Sequence, residues 1–239
     1  LRERGIGFKV ADARVPIVPG AILFDLLNGG DKNWGRRPPY AELAYTAAQT
    51  AAHTFDIGST GAGYGATTAV LRGGLGSASA VMADGTVVGA LAAVNPAGTV
   101  TLGDRPQFWA GPFERDTEFG GLGWPASFGD DELALRLKGA AGESTVLAVV
   151  ATSARLGRRE AQRLAIMAQT GLARAIYPVH SPLDGDIVFA ISTGATPAPD
   201  PVTGLARLGA IAANVMARAV ARGVYAAAPA PTGWAGPPA

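Results

Sequence analysis

The stretch "AGESTVLAVVATSA", residues 141–154, decides how the rest of the chain is read. From Thr145 to Thr152 it is apolar, with valines at 146, 149 and 150, and it reads as a buried β-strand. Yet it opens on two adjacent hydroxyls, Ser144 and Thr145, behind a Gly-Glu pair. A Ser or Thr hydroxyl attacks a carbonyl poorly unless a base takes its proton. One arrangement supplies that base without a histidine. If the chain is cut just before Thr145, the freed α-amine, with an ordinary pKa of about 7.7–8.0, can serve its own side chain. At this stage it is one idea among several.

Downstream of that strand the pattern is regular. In "GRREAQRLAIMAQTGLARAI" (157–176), Ala161, Leu164, Ala165, Ala168, Leu172 and Ile176 have helical spacing, with Arg and Glu on the opposite face. "GDIVFAIST" (185–193) reads as a second buried strand and "TGLARLGAIAANVMARAVARGV" (203–224) as a second amphipathic helix. Strand, helix, strand, helix points to a layered α/β architecture, with Val149, Val150, Val188 and Phe189 expected in the sheet core. The Ala/Pro-rich tail, from about 226 to 239, is expected to be disordered.

Upstream, "ASAVMADGTVVGALAAVN" (78–95) reads as a hairpin turning at Asp84-Gly85. Residues 98–139 have no sustained period and read as a long irregular excursion. The glycine-rich run 58–80 reads as loop and closely approached backbone. "YAELAYTAAQTAAHT" (40–54) reads as a helix, "NGGDKNWGRRPPY" (28–40) as a polar loop, and "RVPIVPGAILFDL" (14–26), interrupted by Pro16 and Pro19, as an edge or irregular strand. The chain starts on Leu1, and "LRERGIGFKV" reads as a last helical turn, a glycine stop and a new strand, so a fragment or processed product is expected.

Composition narrows the chemistry. The 239 residues are 48% hydrophobic and 16% charged, with a net charge of +1, which gives no reason to invoke nucleic acid or an anionic membrane. No cysteine is present, so disulfides, thiolate catalysis and Cys-based zinc sites are excluded. The only histidines are His53 and His180, too few for a His-rich metal centre. No run of 18 uninterrupted apolar residues appears.

Four further places could carry chemistry. Asn95 ends an apolar strand before Pro96, either as a turn initiator or as an amide donor aimed at an oxyanion. Asp184 and Asp186 flank Gly185 before a core strand, either as a turn or as a carboxylate pair orienting a nucleophile. Lys32 lies in a polar loop, where most lysines are merely solvated. The run 61–76 contains Gly61-x-Gly63-x-Gly65, but it lacks a following Gly-Lys-Ser/Thr and a clear helix, so tight packing is favoured over a phosphate cradle.

Taken in order, "RVPIVPGAILFDL", "LRGGLGSASA", "VVGALAAVNPAG", "TVLAVVATSA", "AQRLAIMAQTGLARAIYPVHSPLDGDIVFAISTG" and "LGAIAANVMARAV" resemble the self-processing aminopeptidase/esterase family over about residues 1–225. That family includes the L-aminopeptidase D-Ala-esterase/amidases, the β-peptidyl aminopeptidases and the nylon-oligomer endohydrolase. The resemblance implies a four-layered αββα fold of N-terminal-nucleophile-hydrolase type, with a further N-terminal portion upstream of residue 1. It implies an autocatalytic cut dividing one structural domain into an α-chain part (1–144) and a β-chain part (145–239). Counting back from "VVAT" (149–152), it places the nucleophile at Thr145 and the cut between Ser144 and Thr145, where many relatives have Asn in place of Ser144. It assigns oxyanion stabilisation to Asn95, orientation of the nucleophile to Asp184 and Asp186, and charge tuning to Lys32. The expected substrates are short peptides, amino-acid amides or esters and related linear amides, hydrolysed without metal or cofactor by a cytoplasmic homo-oligomer of αβ units. The rival expectation is a non-catalytic oligomeric binding protein on the same fold.

Overall fold

The computed structural model describes residues 1–27, 29–138 and 144–227. Among them the elements run β1 (Phe8–Val10), β2 (Ala13–Val15), α1 (Tyr40–Gln49), β3 (Gly74–Val81), β4 (Val87–Asn95), α2 (Asp130–Leu133), β5 (Thr145–Ala154), α3 (Arg158–Ala173), β6 (Ile187–Thr196) and α4 (Thr203–Tyr225). β1 and β2 form a small hairpin, and the other four strands make one sheet in the order β3-β4-β5-β6. The first three are antiparallel neighbours, while β5 and β6, joined through α3, run parallel. The expected hairpin forms as read: the Met82 and Gly85 backbone closes it, and Gly85 takes φ 81°.

Alternation sorts the strand side chains to two faces. On one face Val88, Ala90, Ala92, Val94, Val146, Ala148 and Val150 are buried under both long helices. α4 lies over β3 and β4, α3 lies against β6, and the two helices pack on each other. Leu164, Ala168 and Leu172 recur every four residues on α3 and are fully buried. On α4, Leu208, Ala212, Val215, Met216, Ala219 and Val220 line one face and are buried. Each large side chain so buried contributes roughly 1.5–3 kcal/mol.

The small residues of β3 and α4 have a specific use. A Cβ on Gly76 would stand 1.8 Å from the Ala219 carbonyl oxygen, and one on Gly223 would meet Gly76 at 2.8 Å, so helix and strand touch through their backbones. The close approach expected of the glycine-rich run is therefore present. Its second half is not loop, however, since β3 starts at Gly74, and no helix follows to cradle a phosphate.

The opposite face is only half-covered. Leu91, Leu147 and Val149 there are half-buried, and Ile191 is exposed. The core expectation is corrected accordingly. Val150 is fully buried and Val188 packs against the core, whereas Val149 pairs with Phe189 on the open face. The described residues thus supply one sheet and one helical layer, two adjacent layers of the expected architecture.

The described residues of 1–57 stand mostly exposed, and α1 buries no side chain. Of the expected 14–26 strand only Arg14 and Val15 pair, within β2, because Pro16 and Pro19 cannot donate to a ladder. α1 stops at Gln49 rather than at residue 54. The excursion after β4 is irregular, as read, but tied down. Glu118 receives Arg218 of α4 at 2.7 Å, while Arg218 also donates to the Ser79 carbonyl. Its Trp109, Trp124 and Phe128 form an aromatic cluster, which Tyr177, after α3, joins through Trp109. α4 continues to Tyr225, and most of the expected disordered tail lies outside the described residues.

Candidate active site

β4 ends where β5 begins, and this brings Asn95 and Thr145 together as register partners across the antiparallel pair. On the other side of β5, the turn before β6 places Ser144 opposite Asp184 in a parallel bridge. Three parts of the chain far apart in sequence, Asn95, Ser144–Thr145 and Asp184, therefore meet at one end of the central strands. Ser144, Thr145 and Asn95 are all buried.

The Ser144–Thr145 bond is held by directed contacts. The Gly185 N–H donates to the Ser144 carbonyl at 2.9 Å, and Thr145 Oγ1 donates to the same oxygen at 2.6 Å. Glycine at 185 keeps that approach open, since a Cβ there would stand 3.0 Å from Thr145 Oγ1. An N–H aimed at a carbonyl oxygen polarises it and stabilises the charge that develops on attack.

The two carboxylates have different duties. Asp184 Oδ1 accepts the Ala97 N–H at 2.9 Å, and its Oδ2 accepts the N–H and hydroxyl of Ser181, at 3.1 and 2.6 Å. It therefore fastens the segment after Asn95 to the turn before β6. Asp186 Oδ1 accepts the Val146 N–H at 2.8 Å, and its Oδ2 meets His180 Nδ1 at 2.8 Å. Burial pushes the Asp186 carboxyl above its ordinary range and the nearby charge of Asp184 adds to this, while the Val146 N–H and His180 oppose it.

Asn95 is clamped at both ends of its amide. Its Oδ1 accepts the Thr67 N–H at 3.0 Å and Lys138 Nζ at 2.8 Å, and its Nδ2 donates to the Phe24 carbonyl at 2.9 Å. Two donors on the oxygen fix the amide so that Nδ2 is the donating end. Lys32, expected near the nucleophile, donates to the carbonyl of Asp25, one residue along from the carbonyl that Asn95 holds. The buried lysine that reaches Asn95 is Lys138.

Sequence reasoning missed Lys138, His180 as a partner of Asp186, and the Gly185 N–H. Two signals were available. The chain has three lysines, at 9, 32 and 138, and the last stands seven residues before Thr145. His180 is one of two histidines and lies six residues before Asp186. Two clefts, of 590 and 730 Å³, include none of the site residues. No cluster of metal-ligating side chains occurs among the described residues.

Peptidase family S58 matches this sequence over residues 5–235. The chain belongs to that family. Relatives within reach of sequence comparison agree. An uncharacterized aminopeptidase of Mycobacterium tuberculosis is 38% identical over 250 residues, covering 96% of this chain and 69% of the relative. One from Mycobacterium leprae is 39% identical, covering 95% of this chain and 66% of the relative. Among solved structures, a β-aminopeptidase from Burkholderia superposes with a TM-score of 0.53 at 24% identity, covering 81% of this chain and 53% of that one. The PH0078 protein of Pyrococcus horikoshii gives a TM-score of 0.52 at 24% identity, covering 77% and 48%. This S58 chain therefore shares their fold, and it spans about half the length of those two proteins.

Proposed function

We propose that this S58 chain carries the nucleophile and processing site of a self-cleaving hydrolase of the aminopeptidase and amidase-esterase type, with Thr145 as nucleophile. The observation that carries this is the double engagement of the Ser144 carbonyl oxygen, by the Gly185 N–H at 2.9 Å and by Thr145 Oγ1 at 2.6 Å. The names of the relatives, aminopeptidases, support the substrate class.

In the processing step Thr145 Oγ bonds to the Ser144 carbonyl carbon. Its proton passes to the Thr145 nitrogen as the C–N bond breaks, which leaves an ester. Water then adds to that ester, releasing a Ser144 carboxyl group and restoring the Thr145 hydroxyl beside a free α-amine. In turnover the same oxygen takes the acyl group of a peptide, amide or ester. The α-amine carries the proton from Oγ to the leaving group, and water hydrolyses the acyl-enzyme. Asn95 Nδ2 serves the oxyanion, Asp186 holds the backbone just after the nucleophile, Asp184 fastens the turn that carries Gly185 to the segment after Asn95, and Lys32 and Lys138 set the charge and orientation around Asn95. Parts 1–144 and 145–239 remain one domain after the cut, because β4 and β5 pair along eight registered positions.

Intact mass of the full-length protein tests this. Wild type and Ser144→Ala are expected as two polypeptides, since Ser144→Ala alters only the acyl side of the bond. Thr145→Ala is expected as one polypeptide, without activity on a panel of amino-acid p-nitroanilides, amides and esters. A wild type that never splits would sink the self-processing reading. A split Thr145→Ala beside an unsplit Ser144→Ala would move the nucleophile to Ser144.

A further inference from the structure

His180 has no part in the chemistry above, yet its backbone is held at φ 53°, a left-handed conformation uncommon for a residue with a side chain. That conformation places Nδ1 2.8 Å from Asp186 Oδ2. The imidazole is about one-third exposed, while the Asp186 side chain is 3% exposed, so the histidine closes the solvent side of a buried carboxylate. The other oxygen of that carboxylate takes the Val146 N–H, one residue past Thr145. A continuous line thus runs from the surface through His180 and Asp186 to the backbone of the nucleophile.

We infer that His180 is a positioning residue for Thr145: it holds the Asp186 carboxyl group in one rotamer, so that this group anchors the Val146 amide and holds Thr145 in place against the turn before β6. The inference rests on the proposed role of Thr145. It assigns His180 no contact with substrate. The titratable groups that act on Asp186 are His180 and Asp184, both in the turn before β6, with the Val146 N–H facing it from β5.

The sign follows from these neighbours. Burial and the Asp184 charge raise the Asp186 carboxyl, and His180 lowers it. Removing the imidazole therefore moves Asp186 further up, and the acid limb of any reaction that needs its carboxylate moves up with it.

Three full-length proteins test this: wild type, His180→Gly and His180→Asn. Both substituents tolerate the positive φ, and only Asn keeps a donor near the place of Nδ1. His180→Gly is expected to slow self-cleavage and turnover by about 10- to 100-fold and to displace the acid limb of kcat to higher pH. His180→Asn is expected to recover most of the rate. Carbon-13 titration of the Asp186 carboxyl reads the pair independently of catalysis: its midpoint should rise in His180→Gly and stay nearer wild type in His180→Asn. An unchanged midpoint and pH profile in His180→Gly would overturn the inference. Equal losses in both variants, with no shift of the acid limb, would reduce His180 to a structural residue and overturn it as well. If wild type neither cuts nor hydrolyses, the proposed function fails and takes the positioning role with it, while the carboxyl titration still decides whether the His180–Asp186 pair exists.

Discussion

The start of β5 and its interior sit on the same strand but are held by different forces. Val146, Ala148 and Val150 are fixed by burial under the helices, a non-directional force proportional to the area covered. Ser144 and Thr145 are fixed by bonds with direction: the Gly185 N–H, the Asp184 bridge, and the Asp186 carboxylate on the next amide. Area can be trimmed with only a graded loss of stability. A directed bond is made or lost, and only directed bonds can orient a hydroxyl toward a carbonyl carbon. The strand thus separates packing from directed bonding along its own length, and substitutions at the two ends test whether stability and the proposed chemistry separate too.

The largest expected effect is on chemistry. Thr145→Ala should abolish cutting and activity while changing unfolding free energy by less than about 1 kcal/mol, as read by urea denaturation. A large loss of stability in that variant would mean that the two regions are not separable. The converse substitution, Leu164→Ala in α3, removes a fully buried side chain above the interior of the sheet. It should cost about 2–5 kcal/mol and still yield two polypeptides at low temperature.

A smaller contrast tests the two faces of the strand. Val150→Ala, beneath the helices, should cost roughly 1.5–3 kcal/mol, and Val149→Ala, on the half-covered face, clearly less. Equal losses would show that the second face is packed in the full-length protein. The smallest effect concerns acid. For Glu118, burial favours the neutral form, but hydrogen bonds and charge from Arg218, with the charge of Arg222, hold the carboxyl below its ordinary 4.5. A lowered carboxylate contributes stability above its unfolded value, and that contribution is lost as pH falls through the folded one. Stability should therefore decline below about pH 4.5, and Glu118→Gln should flatten this acid limb.

Much of the layered part was legible because its periods are strong. Leu164, Ala168 and Leu172 announce α3, and the Asp84-Gly85 turn announces the β3–β4 hairpin. The faces of β5 were not legible. Its valines at 149 and 150 look alike in sequence, and only the placement of α3 and α4 on one side tells them apart. Of the residues expected at the site, Asn95, Thr145, Asp184 and Asp186 are brought together by the structure. Their partners were hidden for physical reasons. The Gly185 contribution is a backbone N–H, which no residue type signals, and Lys138 lies in an excursion without period. Lys32 donates to the Asp25 carbonyl, one residue along from the Phe24 carbonyl that Asn95 holds, a backbone contact that its residue type does not signal.

The junction of Gly76 and Gly223 has a mechanical consequence. Where two elements meet through side chains, their spacing is adjustable, because rotamers shift and larger or smaller residues can be exchanged. Here main chain meets main chain, with a Cβ on Gly76 falling 1.8 Å from the Ala219 oxygen. The distance from α4 to the sheet is therefore set by a hard stop. The helix may rock about that point, but it cannot settle closer, and any side chain introduced there acts as a wedge that lifts α4 from β3 and opens the core beneath it.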